Sequence, residues 1–402
     1  MAHALRFVFR LFSFALFLFA FSGIAQERVE KEWTFLVYLN GHNNLDGYGL
    51  KNINQMETVG SSDKLNIVVQ WASNKNPDTK RLYIERDEDI QNTTSPVIES
   101  LPRVDMGSYH SLVDFVKWAH IHYPAKHYFI DIWNHGSGWQ RDVSGVVRDI
   151  SNDDHTGNVI KTEQLGIAFS KISKIIGKKI DVVGMDACLM AMIEVAAEFS
   201  DYSDYFIASQ EVIPAAGWPY DRIFSRWEEN RSEGTEALLK MMTREYADFY
   251  EANPMLGSIK VSLSSVNLKK LNSVFTSVKN LSNGILSLPE SEAVQLHGAI
   301  QKTTSFYMSE YGDFLDFLAN YKPWDNTGAL DPILGKLKSS ISEAIVSNDN
   351  AQKDAKATGL SLWLPWNSYD LTEDLKRYEG LRFDKLTKWS KVIRLIFKKE
   401  TI

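Results

Sequence analysis

The sequence predicts an α/β protein: an open, mostly parallel sheet flanked by helices, followed by a mainly helical C-terminal extension. Two observations predict it. Short apolar runs of strand length alternate with stretches whose apolar residues recur at helical spacing, the pattern of a largely parallel sheet. Beyond about residue 230 that alternation gives way to a mainly helical texture.

Each element has its own reason. Trp33 to Leu39 reads as the first strand, followed by the turn-rich loop Asn40-Gly41-His42-Asn43-Asn44 and a helix through about Met56. Leu65 to Trp71 is a second strand, and Arg81 to Glu85 a hairpin or edge strand. Ser108 to His122 is helical because Leu112, Phe115, Val116 and Ala119 share one face. His127 to Trp133 is the third strand, and Thr162 to Ile176 a helix with Glu163 in its first turn. Ile180 to Gly184 is the fourth strand, Leu189 to Phe199 a helix starting at about Cys188, and Tyr205 to Ser209 the fifth strand. Residues 258–263 and 359–364 are strand-like exceptions in the extension. No linker rich in Pro, Gly and Ser separates the parts. The expected organisation is therefore a leader over 1–25, an α/β core over 26–230, and a helical subdomain over 231–402 whose strands complete or extend the core.

The formal net charge of −7 excludes a general binder of nucleic acid or anionic membrane, since both need clustered Lys and Arg. The Lys-rich stretch from Lys385 to Lys399 reads as the solvated face of a final helix. At the N-terminus, Arg6 and Arg10 precede the apolar run Leu11 to Phe21, which ends in Ser22-Gly23-Ile24-Ala25. A basic start, an apolar core and small residues before a cut describe a secretory signal peptide, cleaved after Ala25. The run is shorter than the ~20 residues of a spanning helix. The expectation is an exported monomer, periplasmic or extracellular, with no stable membrane span after signal removal.

Cys188 is the one cysteine in the chain. Exported proteins commonly use cysteines in pairs, so an unpaired one suggests a reactive thiol. Cys188 follows the apolar strand that ends at Gly184, just as His135 follows the strand that ends at Trp133. In open parallel sheets, sites assemble beyond the carboxyl ends of strands. If the two strands are neighbours, His135 and Cys188 face each other and form a catalytic dyad. The thiolate is the nucleophile, and a neighbouring His takes its proton and later protonates the leaving amine. A helix starting at Cys188 would add its positive end in favour of the thiolate. The Gly136 and Cys188 amides are natural donors to an acyl-transfer oxyanion.

These blocks resemble the clostripain family of cysteine peptidases, relatives of caspases, legumains and gingipains that share a caspase-like fold. The resemblance is carried by Leu39-Asn40-Gly41-His42-Asn43-Asn44-Leu45, Asn134-His135-Gly136 and Asp186-Ala187-Cys188. It continues in Ala208-Ser209-Gln210-Glu211 through Gly217-Trp218, Tyr311-Gly312-Asp313-Phe314 and Gly359-Leu360-Ser361-Leu362. His lies roughly 50 residues upstream of Cys, as in caspases. The resemblance implies endopeptidase action on peptide or protein substrates, usually after Arg or Lys. Asp186 is either the acid that receives a basic side chain or a helix cap. Glu211 is a second acidic candidate, and Trp218 a wall of the pocket. The apolar stretch Ile213-Pro214-Ala215-Ala216 offers no further acid. Relatives are often cut between the His and Cys blocks, which makes Arg148 the candidate for an internal cut. Some require Ca²⁺, for which Asp149, Asp153 and Asp154 are candidate ligands. The spacing is not that of a regular EF-hand loop, so a solvated acidic loop is the preferred reading. The chemistry itself needs no cofactor or metal.

Three rivals remain at the level of sequence. One is a catalytically silent scaffold on the same fold, though both members of the dyad are present. Another is a metal-dependent hydrolase using His42, His135 and nearby Asp residues, but no His-Glu-x-x-His spacing occurs. A serine hydrolase would need a Gly-x-Ser-x-Gly elbow, which is absent.

Overall fold

Thirteen strands among the described residues carry the architecture: β1 (Lys31–Gly41), β2 (Leu65–Ser73), β3 (Asp78–Tyr83), β4 (Val97–Pro102), β5 (Ala125–Trp133), β6 (Ile150–Asp153), β7 (Asn158–Ile160), β8 (Ile180–Asp186), β9 (Ser203–Ala208), β10 (Val261–Asn267), β11 (Tyr311–Asp313), β12 (Ile345–Ala351) and β13 (Ser361–Trp363). The computed structural model describes residues 29–140, 149–230, 233–253, 256, 260–325, 327–351, 356–367 and 371–398. The expected signal cut after Ala25 and the expected internal cut after Arg148 both lie outside these residues.

Nine strands form one sheet in the order β12-β10-β9-β8-β5-β1-β2-β3-β4. The five central strands β9-β8-β5-β1-β2 run parallel. The hairpin β3-β4 closes one edge antiparallel, and β10 with β12 closes the other. This is the open, mostly parallel sheet flanked by helices that the sequence predicts. Two strands from beyond residue 230 extend it.

Central parallel strands are buried on both faces, which explains why β1 and β2 read as continuous apolar runs. Alternate residues of β1 serve opposite faces. Leu36 and Tyr38 join a core with Phe115 of α2 (Tyr109–His122), Phe169 of α3 (Thr162–Ile176), Val195 of α4 (Ile193–Phe199) and the C-terminal helices. Phe35, Val37 and Leu39 join the other core, with Met56 from the helix Asp46–Glu57, Phe224 from Tyr220–Asn230 and Tyr246 from Thr235–Ala252. The face of α2 read from spacing, Leu112, Phe115, Val116 and Ala119, is the buried one. Burial of each large apolar side chain contributes about 1.5–3 kcal/mol. The Ser108 side chain caps this helix by accepting from the His110 amide at 3.3 Å.

One strand goes unread in the sequence and two expectations are corrected. The edge strand β4 is not evident in the sequence because its side chains are mostly exposed or half-exposed, leaving no apolar alternation. The stretch 359–364 shrinks to the three-residue β13, which pairs with β11 outside the main sheet. The helix expected from Cys188 starts only at Ile193. Leu189 has φ of +62°, and the amides of Leu189 and Ala191 donate instead to the Glu211 and Ser209 carbonyls. These pairings with the segment after β9 hold residues 187–192 as a loop. Among the described residues no helix is long and apolar enough to cross a membrane.

Candidate active site

β5 and β8 are parallel neighbours, with Trp133 opposite Asp186. Their carboxyl ends therefore deliver Asn134-His135-Gly136 and Ala187-Cys188 side by side. The Asn134 amide donates to the Asp186 carbonyl at 3.2 Å. A Cβ at position 136 would lie 2.5 Å from the Cys188 carbonyl oxygen and 3.0 Å from the Ala187 Cβ. Only glycine allows the two loops this close. His135 and Cys188 line one cavity of about 190 Å³, together with Leu45, Trp133, Asp186 and Ile213. It is smaller than the ~300–1,000 Å³ of a pocket for a drug-sized ligand, and suits a single side chain.

His135 is half-buried, and its Nε2 lies 2.6 Å from Asn44 Oδ1. The backbone on which it rides is held by amides. Asn134 Nδ2 donates to the Asn40 carbonyl at 2.7 Å, and Asn134 Oδ1 accepts from the Asn152 amide at 2.8 Å. The Asn40 and Asn43 side chains both donate to the Asn152 carbonyl, at 2.9 and 3.0 Å. The Asn-rich segment from the end of β1 into the loop after it is thus a collar around the His135 loop. Asn44 is a site residue that sequence reasoning missed, although it stands in the block from Leu39 to Leu45.

His42 does not join the site. It is buried, and its Nδ1 lies 2.9 Å from Asp153 Oδ2. Burial pushes the Asp153 carboxyl up, but the bonds from His42 and the Met106 amide outweigh it and hold it below the usual range. Among the described residues no group of three or more His, Cys, Asp or Glu is placed to hold a metal ion. The acidic loop is solvated only in part: Asp154 is exposed as expected, but Asp149 and Asp153 are both fully buried. Arg377, from the helix Leu371–Tyr378, binds both oxygens of Asp149, the Trp139 carbonyl and Glu163 Oε2, the last at 2.8 Å. The Ser137 amide donates to the Asp149 carbonyl at 3.0 Å. Tyr311 adds its hydroxyl, donating to the Ser137 carbonyl at 2.7 Å. The C-terminal region therefore grips the His135 loop directly.

The Cys188 Sγ packs against the backbone of Ile213, accepting from its amide at 3.3 Å and lying 3.7 Å from its carbonyl. Burial pushes the thiol up to about 11, against the amides of Ile213 and of Cys188 itself. No helix begins at Cys188, so the expected help from a helix dipole is absent.

Asp186 is buried in the inner part of the site. Its Oδ2 accepts from the Trp218 amide at 2.9 Å and lies 3.0 Å from the Tyr220 hydroxyl. Its Oδ1 is buried without a hydrogen-bond partner. It therefore caps no helix, and the capping alternative is discarded. Gly217 has φ of +69°, and a Cβ there would lie 2.8 Å from Asp186 Oδ2. Asp186 is pushed well above the usual carboxylate range, by burial first and by Asp131 second.

Two expected pocket residues are corrected. Trp218 is fully buried, with its ring edge-on to Phe129, and reaches the site only through its backbone amide. Glu211 is half-buried and is not among the residues lining the cavity; its carboxylate accepts from the adjacent Val212 amide at 3.1 Å. The loop it begins does line the cavity, through Val212 to Ala215.

A model of the clostripain family matches residues 37–394. The chain is 25% identical over 399 residues to clostripain of Hathewaya histolytica, covering 83% of this chain and 74% of that protein. Two solved structures resemble it, an inactive zymogen C11 protease from Parabacteroides distasonis and a secreted C11 cysteine protease from Bacteroides thetaiotaomicron bound to an irreversible peptide inhibitor. Each gives a TM-score of 0.68 at 19% identity, over 89% of this chain and 99% of the other. At that identity the likeness shows a shared fold.

Proposed function

This chain belongs to the clostripain family of cysteine peptidases, and from that premise we propose that it is an exported endopeptidase using a His135–Cys188 dyad and cutting after Arg or Lys. The observation that carries the reading is the meeting of His135, Cys188 and Asp186 around one cavity sized for a side chain. With the resting thiol pushed up to about 11, proton removal falls to His135 as substrate binds. Sγ bonds to the scissile carbonyl carbon while its proton passes to His135. The Gly136 and Cys188 amides receive the developing oxyanion. Collapse breaks the C–N bond, His135 protonates the departing amine, and water then hydrolyses the thioester.

Asp186 supports the choice of substrate: it lines the cavity, is buried, and has one oxygen without a partner. A guanidinium or ammonium entering the cavity would satisfy that oxygen. No cofactor is needed for these steps. Export rests on the leader ending at Ala25, and N-terminal sequencing of the natural protein tests it.

The test is cleavage of fluorogenic peptides ending in Arg, Lys, Ala, Leu or Asp by residues 26–402, with and without Ca²⁺. Turnover after Arg or Lys that disappears in both Cys188→Ala and His135→Ala supports the reading. Turnover after another residue keeps the dyad and removes Asp186 as selector. A folded protein that cleaves nothing, even nicked with trypsin in reducing buffer, is a scaffold instead.

A further inference from the structure

The apolar stretch from Ile213 to Ala216 supplies no second acid to the cavity, but the sheet beneath does. Asp131 of β5 is fully buried. Its Oδ1 accepts from the Asp186 amide at 3.1 Å, and its Oδ2 accepts from the Tyr220 hydroxyl at 2.7 Å. That hydroxyl also lies 3.0 Å from Asp186 Oδ2. A phenol carries one proton and can donate it to only one carboxylate at a time. Two buried carboxyls around a single donor do not both ionise easily, and they titrate as a pair.

The surroundings offer little compensation. Tyr220 faces the pair from the helix Tyr220–Asn230, Tyr246 and Tyr250 face Asp186 from Thr235–Ala252, and Cys188 faces it from its own loop. Asn52, near Gly217 on the helix Asp46–Glu57, is uncharged. Of these neighbours and the cavity lining, His135 alone can carry positive charge. Burial raises Asp131 to about 7 and moves Asp186 in the same direction.

We propose that Asp131 is a second specificity-determining acid, which keeps one proton on the Asp131–Asp186 pair while the cavity is empty and gives it up when a cationic side chain enters. The proposal rests on Asp186 being the selector. The cation takes the place of the proton, which leaves for solvent, so the net charge of the cavity is unchanged. A neutral side chain of the same length leaves the proton where it is. The enzyme therefore discriminates lysine from norleucine weakly in acid and strongly above neutrality. The substrate class is a peptide with a basic residue before the cut, in a neutral or alkaline compartment.

The experiment compares kcat/KM for matched peptides carrying Lys or norleucine before the cut, across about pH 5 to 9, in wild type, Asp131→Asn and Asp186→Asn. In wild type the Lys-to-norleucine ratio is expected to climb through a bend near neutrality. Asp131→Asn should move that bend to lower pH by about one unit or more, so that in acid it prefers Lys roughly tenfold more than wild type does. Superimposable ratio profiles for wild type and Asp131→Asn overturn the proposal. A Lys preference that survives Asp186→Asn overturns the selector reading itself, and is seen in a different variant.

A second measurement leaves Asp131 unaltered. Product peptides ending in Lys or norleucine are bound to Cys188→Ala by calorimetry in two buffers of different ionisation enthalpy. At a pH below the bend, release approaching one proton with the Lys peptide and none with norleucine is expected. Equal release for both overturns the proposal.

Discussion

Asn44 Oδ1 lies 2.6 Å from His135 Nε2. An amide oxygen there accepts a hydrogen bond from Nε2–H, which leaves Nδ1 as the basic nitrogen of the ring. Asn44→Ala removes this constraint on both tautomer and orientation. Its kcat should fall roughly 10- to 100-fold, the cost of a misplaced catalytic group, while KM stays within about twofold. An unchanged kcat would show that the collar holds the ring without Asn44.

The Arg377 guanidinium grips Asp149, the Trp139 carbonyl and Glu163. Arg377→Met leaves the fully buried Asp149 carboxylate without its cation, which costs about 3–5 kcal/mol for a buried pair. Denaturant unfolding measures this. The double variant Arg377→Met with Asp149→Asn should recover a good part of the loss, because the stranded charge is gone. Strictly additive losses would mean that the two residues do not act as a pair.

Gly136→Ala tests the contact between the two loops. Its Cβ would lie 2.5 Å from the Cys188 carbonyl oxygen, closer than any backbone tolerates, so the loops must separate. Activity should drop roughly 100-fold or more, with the melting temperature falling by only a few degrees because the change sits at a strand end. Activity near wild type would show that the loops can part without harm to the site.

Glu194 supplies a pH dependence of stability with a definite sign. It is fully buried, and its Oε1 accepts from the Trp363 amide and the Tyr378 hydroxyl, each at 2.9 Å, while Oε2 has no partner. Burial raises it to about 7. An acid raised in the folded state binds more protons there than in the unfolded chain. Its contribution is thus complete below the ordinary Glu range and is lost as pH rises through about 7. Glu194→Gln should flatten that fall and be more stable than wild type at pH 8 by on the order of 1–3 kcal/mol. Parallel stability profiles for the two proteins would exclude Glu194 as the source.

Periodicity and local chemistry determined a large part of this protein. Thr162–Ile176, the buried face of α2 and the parallel strands β1, β2, β5, β8 and β9 are legible because one face, or both, must be apolar. His135 and Cys188 are legible because each follows such a strand, and Asp186 because it stands two residues before the thiol. Tertiary structure decided the rest. Whether the strands were neighbours rested on sheet order, which no local pattern encodes. Residues 187–192 have helical propensity but lose their helix to pairing with the segment after β9. Trp218 is buried and Glu211 is left out of the cavity lining because of how the loop after β9 folds against Asp186 at the end of β8, which spacing along the chain does not specify. Asp131 reads in the sequence as a polar interruption of an apolar strand. Only the register of β5 against β8 and the arrival of Tyr220 bring it beneath Asp186, because electrostatic coupling depends on distance through space and not along the chain.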